Sequence, residues 1–176
     1  MWCVRLARAP YIVLFSIGKT FSDESYLRKE LVVNSIRDVT LEEAKKILEG
    51  ALEYAKERGM TMSFAVVDRL GNLVAVHRMD NASILFPDWA IRKAFTASSF
   101  ATSTTALADR IMTNKMSYVF YLKSDPRLMY IKGGIPIVEG EGCIGAVGVS
   151  GGTDEQDEEC AEAALHHAGF LVNLQK

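Results

Sequence analysis

Apolar and polar positions follow two rhythms along this chain. From Leu41 onward, Leu41, Ala44, Leu48, Ala51, Leu52 and Ala55 recur at the spacing of a helix buried along one face, with charges on the other side. Thr40-Leu41-Glu42-Glu43 has the form of a capping box, and Gly59 stands where helices commonly end, so the pattern predicts an amphipathic helix over 41–58. Gly50 falls inside it, at a cost of about 1 kcal/mol relative to alanine. The rhythm then changes. Two apolar runs flank Asp68-Arg69-Leu70-Gly71-Asn72, residues suited to a tight turn, and predict a β-hairpin. Alternation places Leu73, Ala75, His77 and Met79 on one face of its second strand and Val74, Val76, Arg78 and Asp80 on the other.

Pro87 and Asp88 open a further helix that reads from Trp89 to Phe100, and the run Thr102–Thr105 can cap another through Met112. Residues 113–132 are ambiguous. Ser117–Lys123 fits a strand or a helix and is broken by Ser124-Asp125-Pro126. Ile135–Val138 and Cys143–Val149 predict a second hairpin around Glu139–Gly142, and the capping box Thr153–Gln156 starts a helix to about Ala168. The order helix, hairpin, helices, hairpin, helix predicts an α+β fold with helices packed on an antiparallel sheet.

Composition narrows the function. One domain fits 176 residues against a prior of about 100–200 per domain. A net charge of −2 offers no bulk attraction to nucleic acid or anionic lipid. Cys3, Cys143 and Cys160 are odd in number and lack metal-like spacing, which favours a reducing, cytoplasmic setting with the last two as small core residues. Arg5, Arg8 and the run Tyr11–Phe15 weakly imitate a signal peptide. The run is short, is interrupted by Pro10 and has no cleavage site, so residues 1–38 are read as an extension. No membrane span is expected.

Two enzyme-like motifs lose their force in context. Gly140–Gly145 fits G-x-G-x-x-G but leads into a strand, where a dinucleotide site needs a helix, and Glu139 and Glu141 would repel phosphate. Gly148–Gly152 fits G-x-S-x-G, yet about 26 residues follow Ser150, and His166 and His167 sit far along the next helix. These histidines fit the favourable C-terminal end of a helix dipole better than a metal site. The crowd Asp154, Glu155, Asp157, Glu158 and Glu159 fits dipole compensation, with a cation at Asp154 and Asp157 as the functional alternative. His77 is either a half-buried strand histidine or a metal or haem-iron ligand. Lys93 either snorkels or turns its charge into a pocket.

Four segments in order carry a resemblance: VVDRLGNLVAVHRMDNA (66–82), AIRKAFTASSF (90–100), GGIPI (133–137) and IGAVGVSGGTDEQDEECAEAAL (144–165). Together they resemble the GlcG/HbpS-like family, which also supplies the C-terminal domain of PduO-type cobalamin adenosyltransferases, over residues 40–170. The resemblance assigns residues 39–176 to that domain. It implies a profilin-like three-layer α/β/α fold around a five-stranded antiparallel sheet, assembly into homo-oligomers, and association with haem, iron or corrinoids. Other members accompany glycolate or diol metabolism, and the adenosyltransferase activity belongs to a different domain. By the same resemblance Arg78, Asp80, Lys93, Gly133, Gly134, Gly151, Gly152 and Asp157 are ligand-binding positions. Asn81 departs from the family's glycine but tolerates the left-handed conformation.

The expectation is a non-catalytic binder of haem or a corrinoid, with His77 the metal ligand and the pocket between the GGIPI loop, the SGG turn and Arg78/Lys93. An enzyme acting on a small hydroxy acid or carbonyl compound is the alternative. There Lys93 and Arg78 would hold a carboxylate, with His77 or Asp157 as acid/base. A structural accessory subunit is a third class.

Overall fold

The computed structural model describes residues 37–113, 119–120 and 123–172. The first helix, α1, spans Leu41–Glu57; Thr40 and Glu43 form the capping box in full, and Gly59 follows with a φ of +65°. Strands β1 (Ser63–Asp68) and β2 (Leu73–Arg78) form the first hairpin, with a register shift at Val66/Val67. Helix α2 runs Phe86–Phe100, one turn earlier than predicted, because Pro87 sits in its first turn rather than ahead of it. Ser103 caps α3 (Thr104–Met112) by accepting from the Ala106 amide. Strands β3 (Gly134–Glu139) and β4 (Gly142–Ser150) form the second hairpin, and the boxed Thr153 starts α4 (Asp154–His167). In the ambiguous stretch, residues 119–120 and 123–124 are helical; 114–118 and 121–122 lie outside the described residues. So does the expected N-terminal extension, except for Arg37 and Asp38. No described helix is long and apolar enough to cross a membrane.

The fold is α+β, with one antiparallel sheet in the order β2-β1-β4-β3. Among the described residues the sheet has four strands, against the five implied by the resemblance. Period-two alternation divides its side chains between two helical layers. Phe64, Val66, Ile135, Ile137, Val147 and Val149 pack under α1 and α4, whereas Val67 and Ala146 meet Ala94 and Ala97 of α2. The second interface is made of small residues, so α2 lies very close to the sheet. A Cβ at Gly148 would stand 2.0 Å from the Ala90 carbonyl oxygen and 2.6 Å from the Ala94 nitrogen. α1 and α4 cross just as closely, since a Cβ at Gly50 would meet His167 Cβ at 2.5 Å. The helix-interior glycine therefore offsets its propensity cost by allowing that crossing.

Arg37 fastens the start of the described chain. Its guanidinium bonds to both Glu43 and Glu139, linking the head of α1 to the second hairpin. Pro136 lies in edge strand β3, where a missing amide hydrogen is tolerated. Gly148→Ala is expected to destabilise the protein by about 1–3 kcal/mol, because the added methyl meets α2 backbone that has nowhere to retreat. Urea unfolding would show a lower midpoint at unchanged slope; an unchanged midpoint would mean that α2 can back away from the sheet.

Candidate functional site

All four strands bring one end to the same place: Ser63 starts β1, Arg78 ends β2, Gly134 starts β3 and Ser150 ends β4. The organising contact at this end crosses the layers. Lys93 lies on α2 and Asp157 in the first turn of α4, on opposite sides of the sheet. Lys93 Nζ passes the sheet end and donates to Asp157 Oδ2 at 2.6 Å and to the Val149 carbonyl at 2.9 Å. Both side chains are almost fully buried, with 3% and 4% exposed. Asp157 Oδ1 accepts from the Gly152 amide at 2.8 Å, so the carboxylate also fixes the turn after β4.

The glycines belong to the same construction. Gly133 has a φ of +104°, and a Cβ there would lie 2.8 Å from both Asp157 Cβ and the Val149 oxygen. The Val149 amide donates to the Gly133 carbonyl at 2.9 Å. A Cβ on Gly134 would stand 2.5 Å from the Lys93 carbonyl oxygen, and one on Gly151 2.8 Å from Met62 Cα. Six of the eight expected ligand-binding residues thus form one cluster: Lys93, Gly133, Gly134, Gly151, Gly152 and Asp157. Lys93 neither snorkels to solvent nor faces an open pocket; its charge is spent inside the protein.

Arg78 and Asp80 stand outside this cluster, at the exposed end of β2, together with His77. Of the two alternatives for His77, the half-buried strand histidine is not what forms: as a residue of an edge strand it is exposed. Arg78 Nη1 donates to the Ala82 carbonyl at 3.0 Å and holds the turn in which Asn81 takes its left-handed φ of 64°. A short bridge connects this rim to the glycine cluster. The Met79 amide donates to the Met62 carbonyl at 3.0 Å, Met62 N lies 3.4 Å from Met79 Sδ, and Met62 abuts Gly151 and Gly152. Register places Arg78 opposite Ser63, and Ser63 opposite Ser150. Strand alternation puts these three on the α2 face. The buried Ser63 hydroxyl has no hydrogen-bond partner among the described residues.

Burial pushes the Asp157 carboxyl above its usual range, against the pull of Lys93 and of the Gly152 amide. Burial likewise pushes the Cys160 thiol up to about 12 and raises that of Cys143, so both behave as packing residues. His166 and His167 end α4, where the dipole reading put them, with His167 3.5 Å from Glu53; Asp154 stays exposed while Asp157 is buried, so the alternative of a cation held by those two is not assembled. No group of three potential metal-ligating side chains occurs among the described residues. Sequence reasoning missed three contributors: the Val149 carbonyl, Met62, and Thr104, whose hydroxyl accepts from the Gly134 amide at 3.0 Å. The threonine run signalled a cap, and Ser103 supplies it. Nothing local in the sequence marks Thr104 as the partner of a loop thirty residues away.

Fold and site together define a small layered α+β domain whose glycine-lined loops are fixed by an internal ion pair beside an exposed strand end. The sequence signature described as "Haem degrading protein HbpS-like" matches residues 39–166, and the chain belongs to that family. A 15.0 kDa protein of the dhaT-dhaS intergenic region of Citrobacter freundii is 37% identical over 130 residues, covering 74% of this chain and 92% of that protein. The corrinoid adenosyltransferase PduO of Salmonella typhimurium is 27% identical over 68% of this chain, which spans 36% of that protein's length. Among solved structures, Klebsiella pneumoniae ORFY superposes with a TM-score of 0.72 at 34% identity, covering 77% of this chain and 94% of that one. HbpS superposes with 0.69 at 33%, covering 77% and 93%.

Lys93→Met leaves the Asp157 carboxylate buried and unpaired, at an expected cost of about 3–5 kcal/mol. The pH dependence follows from the sign of the shift. A carboxyl whose folded pKa is raised holds its proton more tightly in the folded state, so stability grows as pH falls through that pKa. The loss in Lys93→Met should therefore be largest near neutral pH and shrink toward about pH 4, and Asp157→Asn should recover part of it. Equal losses in urea unfolding at both pH values would assign the cost to lost packing instead.

Proposed function

We propose that this protein binds a tetrapyrrole, haem or a corrinoid, as a binding protein rather than a catalyst. One observation carries the reading: His77 and Arg78 stand exposed on opposite faces at the end of edge strand β2, with Asp80 just beyond, coupled through Met79 and Met62 to loops that the buried Lys93–Asp157 pair holds rigid. Such a ligand needs three things, and the residues fit each. An accessible imidazole, His77, can ligate a metal. A guanidinium with donors beyond its bond to Ala82, Arg78, can hold a carboxylate. Apolar surface for the macrocycle is offered by the connection that Arg78 ties down, where Ile84 is 84% exposed and Leu85 53%. The bound group would supply the metal's redox and ligand chemistry; the chain's own part is to seat and orient it. In this reading Lys93, Asp157 and the four glycines act from beneath, by setting the backbone against which the ligand rests.

The family description names haem, and the PduO relative is a corrinoid enzyme, which supports this ligand class. The same reading includes homo-oligomers, in which a second copy would close over the exposed His77, and a reducing cytoplasmic setting in keeping with free Cys143 and Cys160. The profilin-like description belongs to it as well; its fifth strand would have to come from outside the described residues.

Haemin added to the purified full-length chain should give a saturable Soret shift, lost or displaced in His77→Ala and weakened severalfold in Arg78→Ala. Hydroxocobalamin tests the corrinoid arm by its own absorbance change. Absence of any change with either compound would sink the proposal.

A further inference from the structure

We propose that a second ligand site, separate from the glycine-lined cluster, lies on a flank of α2 and takes a small planar carboxylate. A cleft of about 380 Å³ is present there, within the range of about 300–1,000 Å³ typical of ligand pockets. Its floor is formed by Ile91 and Phe95, on the flank of α2 beside the sheet-facing Ala94 and Ala97. One wall is the β1–β2 turn at Gly71 and the other is the segment at Pro126 and Arg127.

Both walls are fixed in advance. Asp68 Oδ1 accepts from the Leu70 and Asn72 amides, and the Ser98 hydroxyl of α2 donates to the Asp68 carbonyl at 2.8 Å. On the other side Arg92 Nη2 donates to the Pro126 carbonyl at 2.6 Å, and the Met129 amide donates to Thr96 Oγ1 at 2.8 Å. Gly71 has a φ of +81°, and a Cβ there would fall 2.6 Å from Phe95 Cδ2, so backbone lies directly against the ring. A cleft with walls held this way asks little ordering of a ligand.

The arginine donors left over in the cleft select the ligand. Arg92 uses Nε and Nη2 on the 126–128 carbonyls, while its Nη1 is 3.9 Å from Asp88 Oδ2, beyond hydrogen-bond reach. Arg127 uses Nε and Nη2 on Asp125, with its guanidinium 4.1 Å from the Phe95 ring centre. Two guanidinium Nη1 ends therefore remain for an anion, beside two carboxylates: Asp125, already held by Arg127, and Asp88, whose side chain is 67% exposed. The apolar body of the ligand lies along Ile91, beside the Phe95 ring that the Arg127 guanidinium covers, and its carboxylate meets the Nη1 ends of the arginines.

The probes are 2-naphthoate and its neutral amide, titrated into the full-length protein and followed by ligand-observed NMR. Saturable binding of the acid is expected, at least about tenfold weaker for the amide, as loss of one charge-assisted contact implies. Ile91→Trp should abolish binding by filling the floor while circular dichroism and the urea midpoint stay as in the parent. Arg127→Gln, at a side chain that is 64% exposed, should weaken it severalfold, and Asp88→Asn should strengthen it by removing the opposing charge. No binding of the acid, equal affinity for acid and amide, undiminished binding to folded Ile91→Trp, or weaker binding to Asp88→Asn would each overturn the proposal.

Discussion

The buried pair between Lys93 and Asp157 is the constraint on which the site end of this protein depends. Removing two charges from water costs several kcal/mol each, and their mutual attraction repays this only with further hydrogen bonds in place. Those bonds come from the Val149 carbonyl and the Gly152 amide. The pair therefore works as a geometrical specification. Its two ends lie in different helical layers, so α2, α4, the end of β4 and the turn after it must take up positions that agree with one another. The neighbouring glycines follow from this. Gly133 and Gly134 occupy space that a side chain would share with Asp157 or with the Lys93 backbone.

Close approach is also how α2 becomes useful on both sides. Because Ala90, Ala94 and Ala97 let it settle onto Gly148 and Ala146, the Lys93 side chain is long enough to pass the sheet end and reach Asp157. A flank of the same helix is left to carry Ile91, Arg92 and Phe95. One element thus has a face made of small residues that build the fold and a face of large ones that meet solvent and neighbouring loops.

Local signals made much of this legible in the sequence. Both capping boxes at Thr40 and Thr153, both hairpins and the helix-forming stripes are decided by residues near in sequence, and each is found where those residues point. The site was legible through the resemblance, which named the six clustered residues without saying what joins them. A lysine amid alanines on a helix reads as a charge seeking solvent. Its partner sixty-four residues away, and a backbone carbonyl as the third member, leave no pattern in sequence. His77 shows the converse limit. Alternation gave its strand and its face, but not that β2 lies at the sheet's edge, which depends on the order of all four strands.

Among the described residues that order leaves the sheet with two rims, β2 and β3; both pair through an irregular register, at Val66/Val67 and at Ile137/Val138, and each has a further guard against joining foreign strands. On β3 the guard is covalent: Pro136 has no amide hydrogen to offer. On β2 it is electrostatic: the charges of Arg78 and Asp80 near the strand's end. Salt weakens the second guard and leaves the first untouched. Aggregation of this protein at high ionic strength would therefore begin from one rim of the sheet, the one bearing His77.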